Sequence, residues 1–211
     1  MGVAGDALTG DESVELPEFD APPADPVALL ASWLRDARAH GVREPGSATL
    51  STADLAGHVT ARTVSLKGVT AAGVLFGTST ASLKAHQLAE NPRAALTLYW
   101  RETLQQIKVE GVVERGDDAE SDALFYDRPR DAQAATAVSR QGWRLEDEGA
   151  LTERAAEIAA STEPVARPQD WRAHVLVPDV VEFWHGRANR LHRRLRYELA
   201  EGEWTAWRVQ P

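Results

Sequence analysis

Two blocks of short, β-prone runs flank a helical stretch from 117 to 162, and this arrangement constrains the chain more than any other feature. The first block, from about 47 to 113, carries SATLST, HVTARTVSL, GVLFGT, AALTLYW and QQIKVEGVV, punctuated by Gly and polar residues. Runs of this length and composition read as strands. Between the third and fourth, SLKAHQLAEN reads as a small helix that Asn91-Pro92 ends. The second block carries WRAHVLVP, VVEFWHG, RLHRRLRYE and EWTAWRVQ. A strand meander with one inserted helix is the kind of sequence that closes into a barrel, so the two β halves are expected to share one. In the stretch between them, Asp117 is placed as a cap, Arg128-Pro129 interrupts the helical pattern, and an Ala- and Glu-rich run from about 149 to 161 resumes it. The fold class is mainly β with peripheral helices.

Residues 1–24 read as a flexible acidic arm ending in the stiff Pro22-Pro23 pair. Asp25 then acts as an N-cap before Pro26, and Val27, Leu30, Trp33, Leu34 and Ala37 recur at helical spacing until Gly41. Residues 25–211 are read as one domain. Much of the formal charge of −9 belongs to the arm: residues 1–25 hold seven acids and no base, leaving 25 acids against 23 bases in the body. The body's bases cluster, with Arg187, Arg190, Arg193, Arg194 and Arg196 within ten residues. That cluster suggests a local anion site or a solvated strand face, and the chain lacks the broad basic surface of a nucleic-acid binder.

The chain has no cysteine, which removes disulfides, thiolate metal sites and cysteine nucleophiles together. Any redox chemistry must therefore come from a bound cofactor. The opening segment resembles neither a secretory signal nor a mitochondrial presequence, and no stretch is apolar enough to span a membrane, so a cytoplasmic protein is expected. Walker A, G-x-G-x-x-G, H-E-x-x-H and G-x-S-x-G motifs are missing. His40, His58, His86, His174, His185 and His192 lack metal-site spacing, and no metal is expected. Of the seven tryptophans, Trp143, Trp184 and Trp207 adjoin polar or basic residues and suit stacking on a flat ring, a barrel core or a dimer interface.

In ARTVSLKG, strand alternation puts Arg62, Val64 and Leu66 on one face and Thr63, Ser65 and Lys67 on the other. Such a strand offers cationic groups beside backbone amides, as a phosphate monoester requires, and Lys84 at the start of the small helix adds another donor.

The blocks RTVSLK, SLKAHQLAENP, YWRETLQQIKVEG, FYDRPRDAQ, VSRQG, VEFWHG, RLHRRLRY and WRVQP resemble, in order and spacing, the pyridoxamine 5′-phosphate oxidase family. The resemblance runs from about residue 25 to the end. PEFDAPPADP leading into a Trp-containing helix, with VREPGSATLSTAD and YWRETLQQI, is similar to the family's phenazine-biosynthesis branch. The resemblance implies a split β-barrel whose homodimer holds two molecules of flavin mononucleotide (FMN) at the subunit interface. It implies that Arg62, Thr63, Val64, Ser65, Leu66, Lys67, Gly77, Thr78, Lys84 and Gln106 line the flavin. Gln141, Gly142, Trp184 and Arg194 then complete the site, partly from the partner. Leu83 and Gly142 depart from the family pattern, which has a basic residue and a serine there.

In vitamin B6 oxidases the substrate phosphate is gripped by Lys, Tyr, Arg and Ser; this chain keeps Lys67 and Arg128 but has Leu124 and Ala132 at the other two positions. Losing two donors to a charged group, at ~1.5–3 kcal/mol each, argues against a phosphorylated substrate. Lys67, Arg128, Arg190 and His192 instead suit a small aromatic carboxylate, with room from Leu124 and Ala132. The reaction implied is oxidation of a partly reduced phenazine carboxylate, with dioxygen as acceptor and hydrogen peroxide as product. Arg190 and His192 are the candidates to orient substrate and assist proton removal. Pyridoxine 5′-phosphate oxidation and flavin binding without catalysis are the competing readings.

Overall fold

The computed structural model describes residues 8–211; the first seven residues of the N-terminal arm lie outside the described residues. Among the described residues, nine strands form one antiparallel sheet: β1 (Ser47–Ala53), β2 (Val59–Ser65), β3 (Gly68–Thr70), β4 (Gly73–Ser79), β5 (Arg93–Trp100), β6 (Gln105–Arg115), β7 (Trp171–His185), β8 (Arg193–Ala200) and β9 (Glu203–Arg208). Hydrogen-bonded neighbours run β2-β1-β5-β6-β7-β4-β3, with β8 joining β7 and β9 joining β8. The ends of this order are consecutive in the chain. Leu66 N–H still donates to Gly46 O on the β1 side, whereas Lys67 N–H donates to Leu75 O on β4, so the peptide after β2 carries the chain across the seam and the sheet curls into a barrel.

The barrel is split because β7 serves two partners on one edge. Trp171–Leu176 pairs with β4, while Val180–His185 pairs with β8. The changeover falls at Pro178, which has no N–H to give, opposite a bulge at Glu110/Gly111 of β6. At Gly111 an added Cβ would lie 2.0 Å from Val177 O, so the approach of the two strands requires glycine there. The sequence reading divides β7 at this proline; pairing with β6 on both sides of the bulge makes it one strand. The three-residue β3 is too short to announce itself.

Inward positions alternate along the strands, and Leu50, Leu96, Leu98, Ile107, Val109, Val181, Phe183 and Leu195 are fully buried. Each such side chain contributes roughly 1.5–3 kcal/mol relative to exposure. Helix α1 (Pro26–Ala39) packs on this core, with Asp25 accepting from Val27 N–H and Ala28 N–H. Its Trp33 ring meets Phe183 edge-on at 4.9 Å and lies 6.3 Å from Trp100. Helix α2 (Leu83–Glu90) follows β4, capped by Ser82. Helices α3 (Asp118–Tyr126), α4 (Arg130–Val138) and α5 (Glu148–Ala160) form the outer layer. Asp117 and Glu120 make a reciprocal capping box on α3, and the break at Arg128-Pro129 falls as the sequence predicts. No described helix is long and apolar enough to cross a membrane.

Part of the segment expected as a flexible arm packs on the body of the protein. Leu16 and Phe19 are buried in the main core, and Pro17–Phe19 forms a 3₁₀ turn. Buried Glu18 accepts from Trp33 Nε1, and the Arg193 and Arg208 guanidinium groups stack on Phe19 at 4.6 and 5.2 Å. Asp20 pairs with Arg193 at 2.8 Å, and Tyr197 donates to Pro23 O at 3.0 Å. Of the acids that look like a disorder signal in sequence, Asp20 pairs with Arg193 and Arg208 of the C-terminal strands, while the Glu12 carboxylate accepts from the Ala188 N–H. The arginine cluster divides accordingly: Arg194 and Arg196 bind Glu182, Arg196 also binds Glu198, and Arg187 donates to Glu12 O. Much of it is structural pairing rather than one anion site.

Candidate active site

A cleft of about 370 Å³ opens where β2, β4, α4 and the loop after α4 meet. That volume falls in the ~300–1,000 Å³ range of small-molecule sites. Strand β2 delivers Thr63, Val64 and Ser65 to it, followed by Lys67; β4 delivers Gly77, Thr78 and Ser79. Alternation along β2 is as the sequence predicts, with Thr63, Ser65 and Lys67 exposed while Arg62, Val64 and Leu66 turn inward. At Gly77 an added Cβ would strike the Trp171 ring at 2.3 Å, so glycine lets that indole form a wall of the cleft.

The cleft has two cationic poles. At one, Lys84 is 5% exposed, and its Nζ donates to Thr78 Oγ1 at 3.0 Å and Gln141 Oε1 at 3.2 Å. Burial, aided by the nearby Arg62 guanidinium, pulls its pKa from 10.5 down to about 8. Arg62 lies behind this pole, held by Leu50 O at 3.3 Å and by the hydroxyls of Thr52 and Thr60. At the other pole, Arg128 stacks on Trp171 at 5.2 Å and Phe125 at 5.6 Å while donating to Thr136 Oγ1 and Ala132 O, both at 2.9 Å. Among the described residues, Arg62, Lys67, Lys84 and Arg128 form no ion pair with a carboxylate. Asp170, the acid lining the cleft, accepts from Ser79 Oγ. Cations held by neutral groups, one of them the buried Lys84, form a site for anionic ligands.

Other residues singled out in the sequence lie elsewhere in the protomer. Leu124 is buried with Phe125, Val165, Trp171 and Ala173 in a small second core, and Ala132 meets the site through its carbonyl on Arg128. Leu83 is exposed. Gly142, one residue beyond the cleft-lining Gln141, has φ +87°, a conformation that a serine would adopt only under strain. Gln106, Trp184 and Arg194 sit side by side in cross-strand register on the outer face of β6, β7 and β8. Trp184 meets Tyr99 at 6.4 Å and His192 at 4.8 Å, and Arg194 grips Glu182 Oε1 through Nε and Nη2 at 2.9 and 2.7 Å.

Arg190 and His192 occupy the loop between β7 and β8. Arg190 has φ +66°, and the Arg187 N–H donates to His192 Nδ1 at 3.0 Å. A backbone N–H can only donate, so the neutral His192 ring carries its proton on Nε2. Burial and Arg190 hold its pKa below the ordinary histidine value. The ring therefore offers an N–H donor outward, and the expectation that His192 assists proton removal does not suit this geometry. Sequence reasoning also missed Thr52, Thr60, Gln87, Thr136 and Trp171, which position the cations or shape the cleft; their residue types carry no signal before the tertiary contacts are known.

Residues 34–163 match the model of the family described as pyridoxamine 5′-phosphate oxidase, and residues 171–211 match the pyridoxine 5′-phosphate oxidase C-terminal dimerisation region. The chain belongs to the pyridoxamine 5′-phosphate oxidase family, a family of oxidoreductases. The C-terminal match indicates a homodimer. A dihydrophenazinedicarboxylate synthase of Pseudomonas chlororaphis is 40% identical over 206 residues, covering 98% of this chain and 93% of that protein. A pyridoxine/pyridoxamine 5′-phosphate oxidase of Acidovorax is 41% identical, covering 95% and 92%. The crystal structure of PhzG from Burkholderia lata in complex with tetrahydrophenazine-1-carboxylic acid superimposes with a TM-score of 0.92 at 37% identity, covering 96% of this chain and all of that one.

Proposed function

We propose that this protein is an FMN-dependent oxidase that aromatises a partly reduced phenazine carboxylate, with dioxygen as electron acceptor and hydrogen peroxide as product. The observation that carries the cofactor reading is buried Lys84, paired with neutral oxygens alone and backed by Arg62. That donor set fits a phosphate monoester, and the strand from Thr63 to Lys67 with Gly77 fits the flat body of the nucleotide beside it. When bound, FMN supplies the two-electron redox chemistry. The likeness to the Burkholderia lata protein, which binds tetrahydrophenazine-1-carboxylic acid, supports the substrate class.

The chain's own residues then have three tasks. Lys84, Arg62 and Thr78 hold the phosphate. Arg128, with Lys67, draws in a carboxylate; Leu124, buried in the second core beside Trp171, offers no hydroxyl donor to a second phosphate. The outer-face group of Gln106, Trp184, Arg190, His192 and Arg194 serves the partner subunit's cleft, a reading supported by exposed Tyr99 and Leu191 next to it and by the dimerisation match. A substrate that gains aromaticity needs orientation more than acid–base help.

The test is a flavin absorption spectrum of the purified protein, followed by anaerobic addition of a dihydrophenazine carboxylate. Bleaching, then recovery with peroxide formation when air is admitted, is the expected result. Efficient turnover of pyridoxine 5′-phosphate alone would overturn the substrate assignment, and a yellow colour that persists through ligand binding would favour a non-catalytic binder.

The tautomer of His192 gives a sharper expectation. His192→Gln, which keeps an N–H donor at similar reach, should raise KM for the carboxylate less than about fivefold, whereas His192→Leu should raise it roughly 10- to 100-fold, as loss of a hydrogen bond to a charged group implies. If the glutamine variant loses kcat as severely as the leucine variant, His192 is a base and the donor assignment is wrong.

A further inference from the structure

Gln87 lies on α2, 4% exposed, one turn beyond Lys84 and not itself among the residues lining the cleft. Its Nε2 donates to His58 O at 3.1 Å, which fixes the orientation of the amide. Its Oε1 therefore faces the other way, where it accepts from Thr52 Oγ1 at 2.6 Å and Thr60 Oγ1 at 2.7 Å. Each threonine has a single hydroxyl proton. Once that proton points at Gln87, both hydroxyls present only lone pairs to Arg62. The guanidinium uses both: Nη1 donates to Thr52 Oγ1 at 2.7 Å, and Nη2 donates to Thr60 Oγ1.

We propose that Gln87 is a positioning residue for the anion site: through Thr52 and Thr60 it fixes the Arg62 guanidinium while leaving its positive charge uncompensated for the phosphate of the cofactor. A carboxylate at position 87 could accept from the same two hydroxyls, but it would set an oxygen against His58 O in place of the amide donor. It would also cancel the charge that the site exists to offer. Only an amide supplies both the donor for His58 O and an uncharged acceptor for the two hydroxyls, which explains why a polar group is buried here and why it is neutral. Lys84, close enough to Arg62 to feel its charge, then completes a two-cation pole held entirely by neutral partners.

The inference rests on the FMN reading, and the choice of ligands separates the two. Affinity of the full-length protein is measured for FMN and for riboflavin, which lacks the phosphate, by quenching of flavin fluorescence. Gln87→Glu should weaken FMN roughly 10- to 100-fold and leave riboflavin within about twofold. Thr52→Val and Thr60→Val, nearly isosteric and free of a folding problem at position 87, should each weaken FMN about 3- to 10-fold with riboflavin again unchanged. Equal losses for both flavins would show that Gln87 merely supports the fold, and unchanged FMN affinity in all three variants would show that Arg62 needs no such holder; either result overturns the proposal. A wild-type protein that binds FMN no better than riboflavin would instead remove the phosphate site itself, and the proposal with it.

Discussion

Lys84→Met is expected to raise the Kd for FMN by roughly two to three orders of magnitude, while making the flavin-free protein more stable. Both halves come from one fact, a buried ammonium whose partners are Thr78 and Gln141 and no described carboxylate. Its pKa of about 8, against 10.5 in an ordinary setting, means that at pH 7 the charged form costs the empty fold on the order of 3 kcal/mol. Methionine has similar length and no charge, so the penalty disappears with it. A bound phosphate would reverse the balance, because a desolvated cation gains most from an anion placed against it. Stability given up for binding in this way is a common feature of functional sites.

The pH dependence follows with a definite sign. Between pH 8 and 10.5 the unfolded chain keeps the Lys84 proton and the empty fold has lost it, so wild-type stability rises with pH across that window. The methionine variant lacks this rise, and its advantage should shrink over the same interval. FMN affinity should move the other way, weakening up to about tenfold per pH unit above 8 as the cation is lost. Urea unfolding of both proteins between pH 7 and 10.5, with FMN titrations alongside, checks both. Parallel unfolding curves, or wild-type FMN affinity that stays level through pH 9.5, would mean that Lys84 is not the buried cation of the site.

What the chain made legible, and what it hid, divides by the range of the interaction. Strand alternation in RTVSLK, the Asp25 and Asp117 caps and the stop at Arg128-Pro129 are local, so they can be read from neighbouring residues. The site's cations were legible as residue types on a strand and at a helix start. Their holders were not, because Thr52, Thr60 and Gln87 meet Arg62 only after β1, β2 and α2 pack. The N-terminal segment misled for the opposite reason. Its acids and prolines match the composition of a disordered arm, yet Leu16, Phe19 and Glu18 find their partners on α1 and on strands near the other end of the chain. Composition measures what a segment can bury alone, and this one packs against distant residues: Phe19 lies under Arg193 and Arg208, and Asp20 pairs with Arg193, 173 positions along the chain.

Arg128 governs the other pole, and its replacement should separate substrate from cofactor. Arg128→Ala is expected to raise KM for a reduced phenazine carboxylate roughly 30- to 100-fold and to change FMN affinity less than about threefold, in keeping with loss of a charge-assisted hydrogen bond to the carboxylate. Arg128→Lys should not restore the wild-type value. The guanidinium lies on the Trp171 and Phe125 rings and spans Thr136 Oγ1 and Ala132 O at once, and an ammonium on a flexible stem cannot do all of this together. Some stability will be lost as well, about 1 kcal/mol for the stacking, so Thr136→Val serves as a comparison that disturbs the same corner while keeping the charge. The decisive measurement pairs two substrates, a reduced phenazine with a carboxylate and one without. Arg128→Ala should bring their KM values together by weakening only the first. If FMN is released while both KM values stay as in the wild type, Arg128 belongs to the phosphate and the two poles of the cleft have been assigned the wrong way round.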